Sequence, residues 1–256
     1  MWEEGLRVAV RYSILLNYVQ IGEFEAGMRL LGQWTRDIDG MSDPLGTARL
    51  TAHIQTGRLC NGFGDFEAAV HAYEAARAIY REDCQRQYNR PLTWGLGVAY
   101  ALAGRVEEGL DLFARSEAYE RQIGSATHNQ MRLLHHSLAL LVGGRTDDAE
   151  RYADEALREA SAQGSRPEEA GAHRILGEVA SLREPVDEDA MERHLLAALA
   201  LAEALEMRPL AARCHLRLAR LYERAGRPEQ QRHDAAAVPL LAMMGNPRSL
   251  DAAGVH

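Results

Sequence analysis

The chain has 256 residues, of which 46% are hydrophobic and 26% charged, which fits a soluble chain of one large domain or two ordinary ones. All 29 basic residues are arginine, so a phosphate-loop lysine, a lysine Schiff base and a lysine general base are excluded. The formal charge of -8 argues against general adhesion to nucleic acid, and three widely spaced cysteines (Cys60, Cys84, Cys214) do not make a disulfide framework.

The order of elements is set by a short phrase that repeats along the chain. It reads Gly22-Glu-Phe-Glu-Ala-Gly27, Gly64-Asp-Phe-Glu-Ala-Ala69, Gly104-Arg-Val-Glu-Glu-Gly109 and Gly144-Arg-Thr-Asp-Asp-Ala149, with a looser copy at Gly226-Arg-Pro-Glu-Gln-Gln231. The glycines are spaced 42, 40, 40 and 82 residues apart, and the last gap is filled by Arg183-Glu-Pro-Val-Asp-Glu-Asp-Ala190. A period of this size means a repeat architecture. The flanks are rich in Ala, Leu, Glu and Arg with apolar residues at three- and four-residue spacing, so each unit reads as helix, glycine turn, helix. Small residues recur seven positions before the turns (Gly57, Gly97, Ser137, Gly177, Ala219), where two helices must approach closely. Four positions before them stand Tyr18, Cys60, Tyr100, Leu140, Ala180 and Tyr222.

Six units are expected, near residues 5–39, 47–86, 90–122, 129–163, 168–207 and 209–244, together forming one solenoid over 1–244. Loop signals separate them at Asp39-Gly-Met-Ser-Asp-Pro44, Asn89-Arg-Pro91, Gly124-Ser-Ala-Thr127, Gln163-Gly-Ser-Arg-Pro167 and Met207-Arg-Pro209. Pro239 is expected to end or kink the last helix, and residues 245–256 read as a loose tail. The fold class is therefore all-α, a right-handed α-α superhelix of about six helix-turn-helix units, each burying its apolar face only against its neighbours.

These residues resemble the tetratricopeptide repeat. The third unit, with Leu96-Gly97, Tyr100, Gly104, Glu108-Gly109 and Phe113, is most similar to that family's pattern, although the period exceeds the standard 34 residues. The last two units, from His194-Leu-Leu-Ala-Ala-Leu-Ala-Leu-Ala-Glu-Ala-Leu-Glu-Met-Arg-Pro209 to Leu221-Tyr-Glu-Arg-Ala-Gly226, resemble the carboxy-terminal region of large bacterial regulators. Those proteins couple a STAND-type nucleoside triphosphatase to such repeats, often beneath a class III nucleotide cyclase or a DNA-binding domain. The resemblance implies a sensor arm with an ATPase or cyclase domain in cis. The sequence opens almost directly into its first helix with no polar capping helix, which fits a fragment of such a regulator.

Catalytic motifs are absent: there is no Gly-x-Ser-x-Gly elbow, His-Glu-x-x-His, paired Cys-x-x-Cys or dinucleotide fingerprint, so no enzyme activity, catalytic residue or cofactor is expected. Asp37-Ile-Asp-Gly-Met-Ser-Asp43 lacks the spacing and terminal glutamate of a calcium loop. His53, His173 and His215 occupy equivalent positions of first helices, which points to packing rather than ligation, and no metal site is expected. The start lacks a signal peptide, and the longest apolar run, Leu195–Ala202, is far short of the roughly 20 residues of a membrane span. A cytoplasmic protein that contacts neither membrane nor nucleic acid is expected.

Two patches are candidate binding residues. Arg213, Arg217, Arg220 and Arg224 step by 4, 3 and 4 along one helix face, which the family resemblance turns into the concave groove. They read either as forks for an acidic partner or as a solvated face pairing with Glu178 and Glu223. Trp94, Val98, Ala101, Met131, Leu134, Leu138 and Leu141 fall in the same register. They form either a groove floor for an amphipathic helix or extended apolar peptide, or residues buried by a tightly curled solenoid. The leading functional expectation is a non-catalytic module that binds a protein or peptide segment for regulation. The alternative is a sensor of a small anionic effector, held by Arg217 and Arg220.

Overall fold

The computed structural model describes residues 2–40, 43, 45–123 and 129–244, all helix and connecting turns. The Gly124–Thr127 loop, three residues of the Asp39–Pro44 loop and the 245–256 tail lie outside the described residues. The long helices form six consecutive antiparallel pairs: α1 (Trp2–Ile21) with α2 (Phe24–Asp39), and α3 (Thr47–Phe63) with α4 (Phe66–Ile79). After the one-turn α5 (Glu82–Gln85) come α6 (Asn89–Leu102) with α7 (Val106–Ile123), and α8 (Asn129–Val142) with α9 (Thr146–Gln163). The last pairs are α10 (Arg166–Ser181) with α11 (Glu188–Ala204), and α12 (Arg208–Arg224) with α13 (Glu229–Met243). They stack into a right-handed α-solenoid. Among the described residues, no helix is long and apolar enough to cross a membrane.

One hydrogen-bond motif makes every glycine turn. The residue after the glycine donates its N–H to the carbonyl five positions back: Glu23 to Tyr18, Asp65 to Cys60, Arg105 to Tyr100, Arg145 to Leu140 and Arg227 to Tyr222, all at 2.8–2.9 Å. This 6→1 bond closes a helix only if the intervening residue is left-handed, as at Gly104 with φ +83°. The turn between α10 and α11 has no glycine and is longer, and there Asp187 N–H reaches the Ala180 carbonyl at 3.2 Å. Its Asp187 carboxylate then accepts the N–H of Ala190 and starts α11. Asn89, Arg166 and Arg208, read as loop in the sequence, already begin helices. A proline is tolerated in a first turn, where its missing N–H has no partner to lose.

Within a pair the helices nearly touch. A Cβ added to Gly109 on α7 would lie 2.4 Å from the carbonyl oxygen of Gly97 on α6, and that oxygen is backbone. The side chains around the approach are fully buried, with Phe113 at 0% exposure.

The solenoid does not end in two free faces. Val8, Leu15, Phe24 and Trp34 of the first pair share one core with Ala212, Leu216, Leu240, Leu241 and Met244 of the last pair. Met244 packs directly on Gly22, and Arg208 donates to Glu23 at 2.7 Å across the same seam. The expectation that units bury apolar surface only against their sequence neighbours is therefore corrected, because the superhelix curls far enough for its ends to meet. Pro239, expected to end or kink the last helix, lies inside α13, which runs on to Met243. The seam contacts made by Leu240 and Leu241 hold that turn in place despite the lost backbone hydrogen bond.

Two outcomes test this architecture. Gly109→Val should cost about 3 kcal/mol in urea denaturation, at the top of the overpacking range. Gly104→Ala, which only forces a left-handed backbone, should cost about 1 kcal/mol. In small-angle scattering, the double variant R208E/M244D should have a larger radius of gyration than the wild type at equal helicity. An unchanged radius would mean that this seam does not hold the ends together.

Candidate binding site

Curling the solenoid brings the first helix of every pair around one cavity of about 420 Å³. Its wall runs from Leu16 and Val19 on α1, through Arg58 on α3 and Trp94 on α6, to Arg174 on α10 and Arg213 on α12. The seam is part of the enclosure, since Phe24, Met207 and Pro209 also line it.

The structure brings Trp94, Val98, Leu134 and Leu138 together on the floor of this cavity, with Met131 beside them. Trp94 is 3% exposed, and its indole N–H donates to the Ser116 hydroxyl on α7 at 2.9 Å, which fixes the ring. Ala101 and Leu141, assigned to the same face, do not line the cavity; both are 1% exposed within the wall. They sit one helical step further round and pack between the pairs.

The arginine stripe is divided. Arg213 lines the cavity, whereas Arg217, Arg220 and Arg224 line a separate cleft of about 290 Å³ against Ser181, Leu182 and Met191. At 1.5 Å per residue the stripe is roughly 16 Å long, more than one site can use.

Sequence reasoning missed polar residues of the cavity: Gln20, Asn61 and Glu168 line it, as do three whose contacts define its charge. Arg174, 6% exposed, donates to Glu178 at 2.7 Å, and the second Glu178 oxygen is buried with no hydrogen-bond partner. The Arg213 guanidinium is pushed down to about 10 by burial and by the charge of Arg174, with Glu178 opposing. Burial lowers the pKa of Arg217 as well, and Glu178 again opposes it. Across the cavity, Arg58 donates to the Tyr12 hydroxyl at 2.9 Å. The third is His135, whose Nδ1 is 2.7 Å from the Met131 carbonyl. A carbonyl only accepts, so Nδ1 carries the proton and Nε2 is left as an acceptor. Burial lowers the pKa of the ring; the hydrogen bond to the Met131 carbonyl opposes this, Arg58 adds to it and Glu168 opposes it. A signal for Arg58 was present: it stands six residues before a turn glycine, as Val98 and Leu138 do. Apolar residues drew the attention at that position.

The other described histidines do not line the cavity. His173 and His194 meet through Nδ1 atoms 3.0 Å apart, and His215 and His233 do so at 2.8 Å. Each contact needs one donor and one acceptor, so a pair cannot hold a proton on both Nδ1 atoms. Among the described residues, no group of three or more His, Cys, Asp or Glu is placed to hold a metal ion. His136 stacks on Phe113 with ring centroids 4.9 Å apart.

A tetratricopeptide-repeat family model matches residues 134–192, from α8 into α11. No curated protein matches the chain. Among solved structures, the crystal structure of a Rap protein complexed with Competence and Sporulation Factor is similar, with a TM-score of 0.64 at 12% identity. The match covers 96% of this chain and 80% of that one, and at this identity it is a likeness of fold.

The histidines set a pH dependence. Burial lowers the pKa of His173, His194, His215 and His233, and burial aided by Arg132 takes that of His136 down to about 4. As pH falls, the unfolded chain therefore takes up protons first. The stability held above about pH 6.5 is lost on going down toward pH 4, with His136 alone contributing on the order of 3 kcal/mol. Thermal melts between these limits should fall steadily for the wild type and less steeply for His136→Phe.

Proposed function

We propose that this tetratricopeptide-like solenoid is a non-catalytic recognition module that holds a short extended peptide segment, apolar with an acidic group, in its central cavity. One observation carries the reading: a single cavity, half open to solvent, combines an apolar floor with more arginines than acids. Trp94, Val98, Leu134 and Leu138 supply the floor, and Arg58, Arg174 and Arg213 line the same cavity against Glu168, the one acid among the described residues that line it. Burial disfavours the charged form of Arg213, and the neighbouring charge of Arg174 adds to that cost. A ligand carboxylate held by arginine forks relieves that cost.

The Rap protein of similar fold was crystallised with Competence and Sporulation Factor, which supports a superhelix of this kind as a holder of a partner. In the wider proposal the module is the regulatory arm of a cytoplasmic bacterial signalling or transcription regulator. An ATPase or cyclase domain acts with it in cis, and the module itself makes no contact with nucleic acid or membrane. A second reading, a small anionic effector, is favoured by the seam, which closes the cavity to a volume within the usual range for small ligands.

Fluorescence titration with short apolar peptides ending in a carboxylate, against the same peptides amidated, tests the site. Arg213→Gln should weaken the carboxylate forms about tenfold and leave the amides little changed, and Leu138→Ala should weaken both. Equal binding of the two forms, or no effect of either substitution, would overturn the cavity as the binding site. If only small anions raise the melting temperature and no peptide binds, the second reading replaces the first.

A further inference from the structure

We infer that the cleft between the end of α10 and α12 is a second anion site, separate from the cavity, which takes a phosphoryl group on Arg217, Arg220 and Arg224. None of the three lines the cavity, so this site stands or falls independently of the peptide reading.

Like charges three and four residues apart on a helix repel one another, and this face carries three in succession. Elsewhere the chain answers its interhelical arginines with acids. Arg183 meets Asp147 and Glu150, Arg105 meets Glu74 and Glu108, and Arg227 meets Glu192 and Glu229. Arg220 and Arg224, by contrast, form no ion pair or hydrogen bond among the described residues. Glu223 adjoins Arg224 in sequence and forms no ion pair with Arg220 or Arg224. Arg217 lies deeper. Burial pushes its guanidinium below its ordinary range, Glu178 opposes, and the charges of Arg220, Arg174 and Arg224 add to the push.

The arginines line a concave space of about 290 Å³ together with Ser181, Leu182, Met191 and Leu221. The Ser181 hydroxyl is already committed to the Glu178 carbonyl at 2.6 Å, so the guanidiniums are the donors. A single carboxylate would answer only one of the exposed guanidiniums of Arg220 and Arg224. A phosphoryl group carries about −1.5 to −2 charges and three acceptor oxygens, which suits both forks, with Arg217 beside them in the cleft. It can be borne by a phosphorylated side chain or by free phosphate.

The test is calorimetric titration of the full chain at about 150 mM salt, where non-specific attraction is screened. The probes are inorganic phosphate, a phosphoserine peptide and the same peptide unphosphorylated. Wild type should bind at least one phosphorylated probe saturably and the unphosphorylated peptide at least about tenfold more weakly. R220Q/R224Q should lose about tenfold in phosphoryl affinity at an unchanged melting temperature, both side chains being exposed. The charge-matched control R121Q/R158Q should lose little. A phosphopeptide preferred over inorganic phosphate assigns the site to a modified segment, and equal affinities assign it to free phosphate. The inference is overturned if neither phosphorylated probe binds by about 10 mM, or if the control loses as much as R220Q/R224Q.

Discussion

The contact between the first and last helical pairs gives the molecule its character. A solenoid built of like units normally leaves an uncovered face at each end. Here Met244 lies on Gly22, and Phe24 and Trp34 share a core with Leu240 and Leu241. Fully burying side chains of this size contributes about 1.5–3 kcal/mol each. The Arg208–Glu23 pair, partly open to solvent, contributes at most about 1 kcal/mol. The apolar part of the seam thus holds the ends together, while the ion pair selects which surfaces meet. Closing the seam bounds the groove as one half-open cavity. Arg58, Arg174, Arg213 and His135 line it.

The helices of a pair approach closely. Where Gly109 sits against the Gly97 carbonyl, the helices are limited by backbone rather than by side chains. Phe113 packs on Gly97 at the same approach, and with Leu140 and Ile175 of the next two pairs it forms one continuous core. The recurrent 6→1 turn bond repeats the same hairpin geometry wherever the turn glycine is present.

The absence of lysine acquires a structural sense at the α10–α12 end. Guanidinium is planar and more weakly hydrated than ammonium, so it tolerates burial beside other cations and meets oxyanions through paired N–H groups. Arg174 and Arg213 use that property inside the cavity, and Arg217, Arg220 and Arg224 carry it outward along the same helix face. Glu178 stands between the two sets and moderates both. The rest of the chain is acidic in balance, so positive potential is concentrated at one end of the concave surface.

The repeat, the helical pairs and their turns were legible in the sequence because each depends on local bonds spanning four or five residues and on a glycine that alone fits the turn. Register carried this further. Trp94, Val98, Leu134 and Leu138 repeat at fixed distances before the turn glycines, so their common face followed from the period. Arg58 shared that register and was overlooked because its residue type differed. The seam, the membership of Arg174 in the cavity wall and the division of the arginine stripe were not legible. Each depends on the superhelix as a whole. The rotation from one pair to the next is small and set by packing volumes, and it accumulates over six pairs. Whether Met244 reaches Gly22, and whether Arg213 faces Trp94 across one cavity, is decided by that accumulated rotation, which no local pattern records.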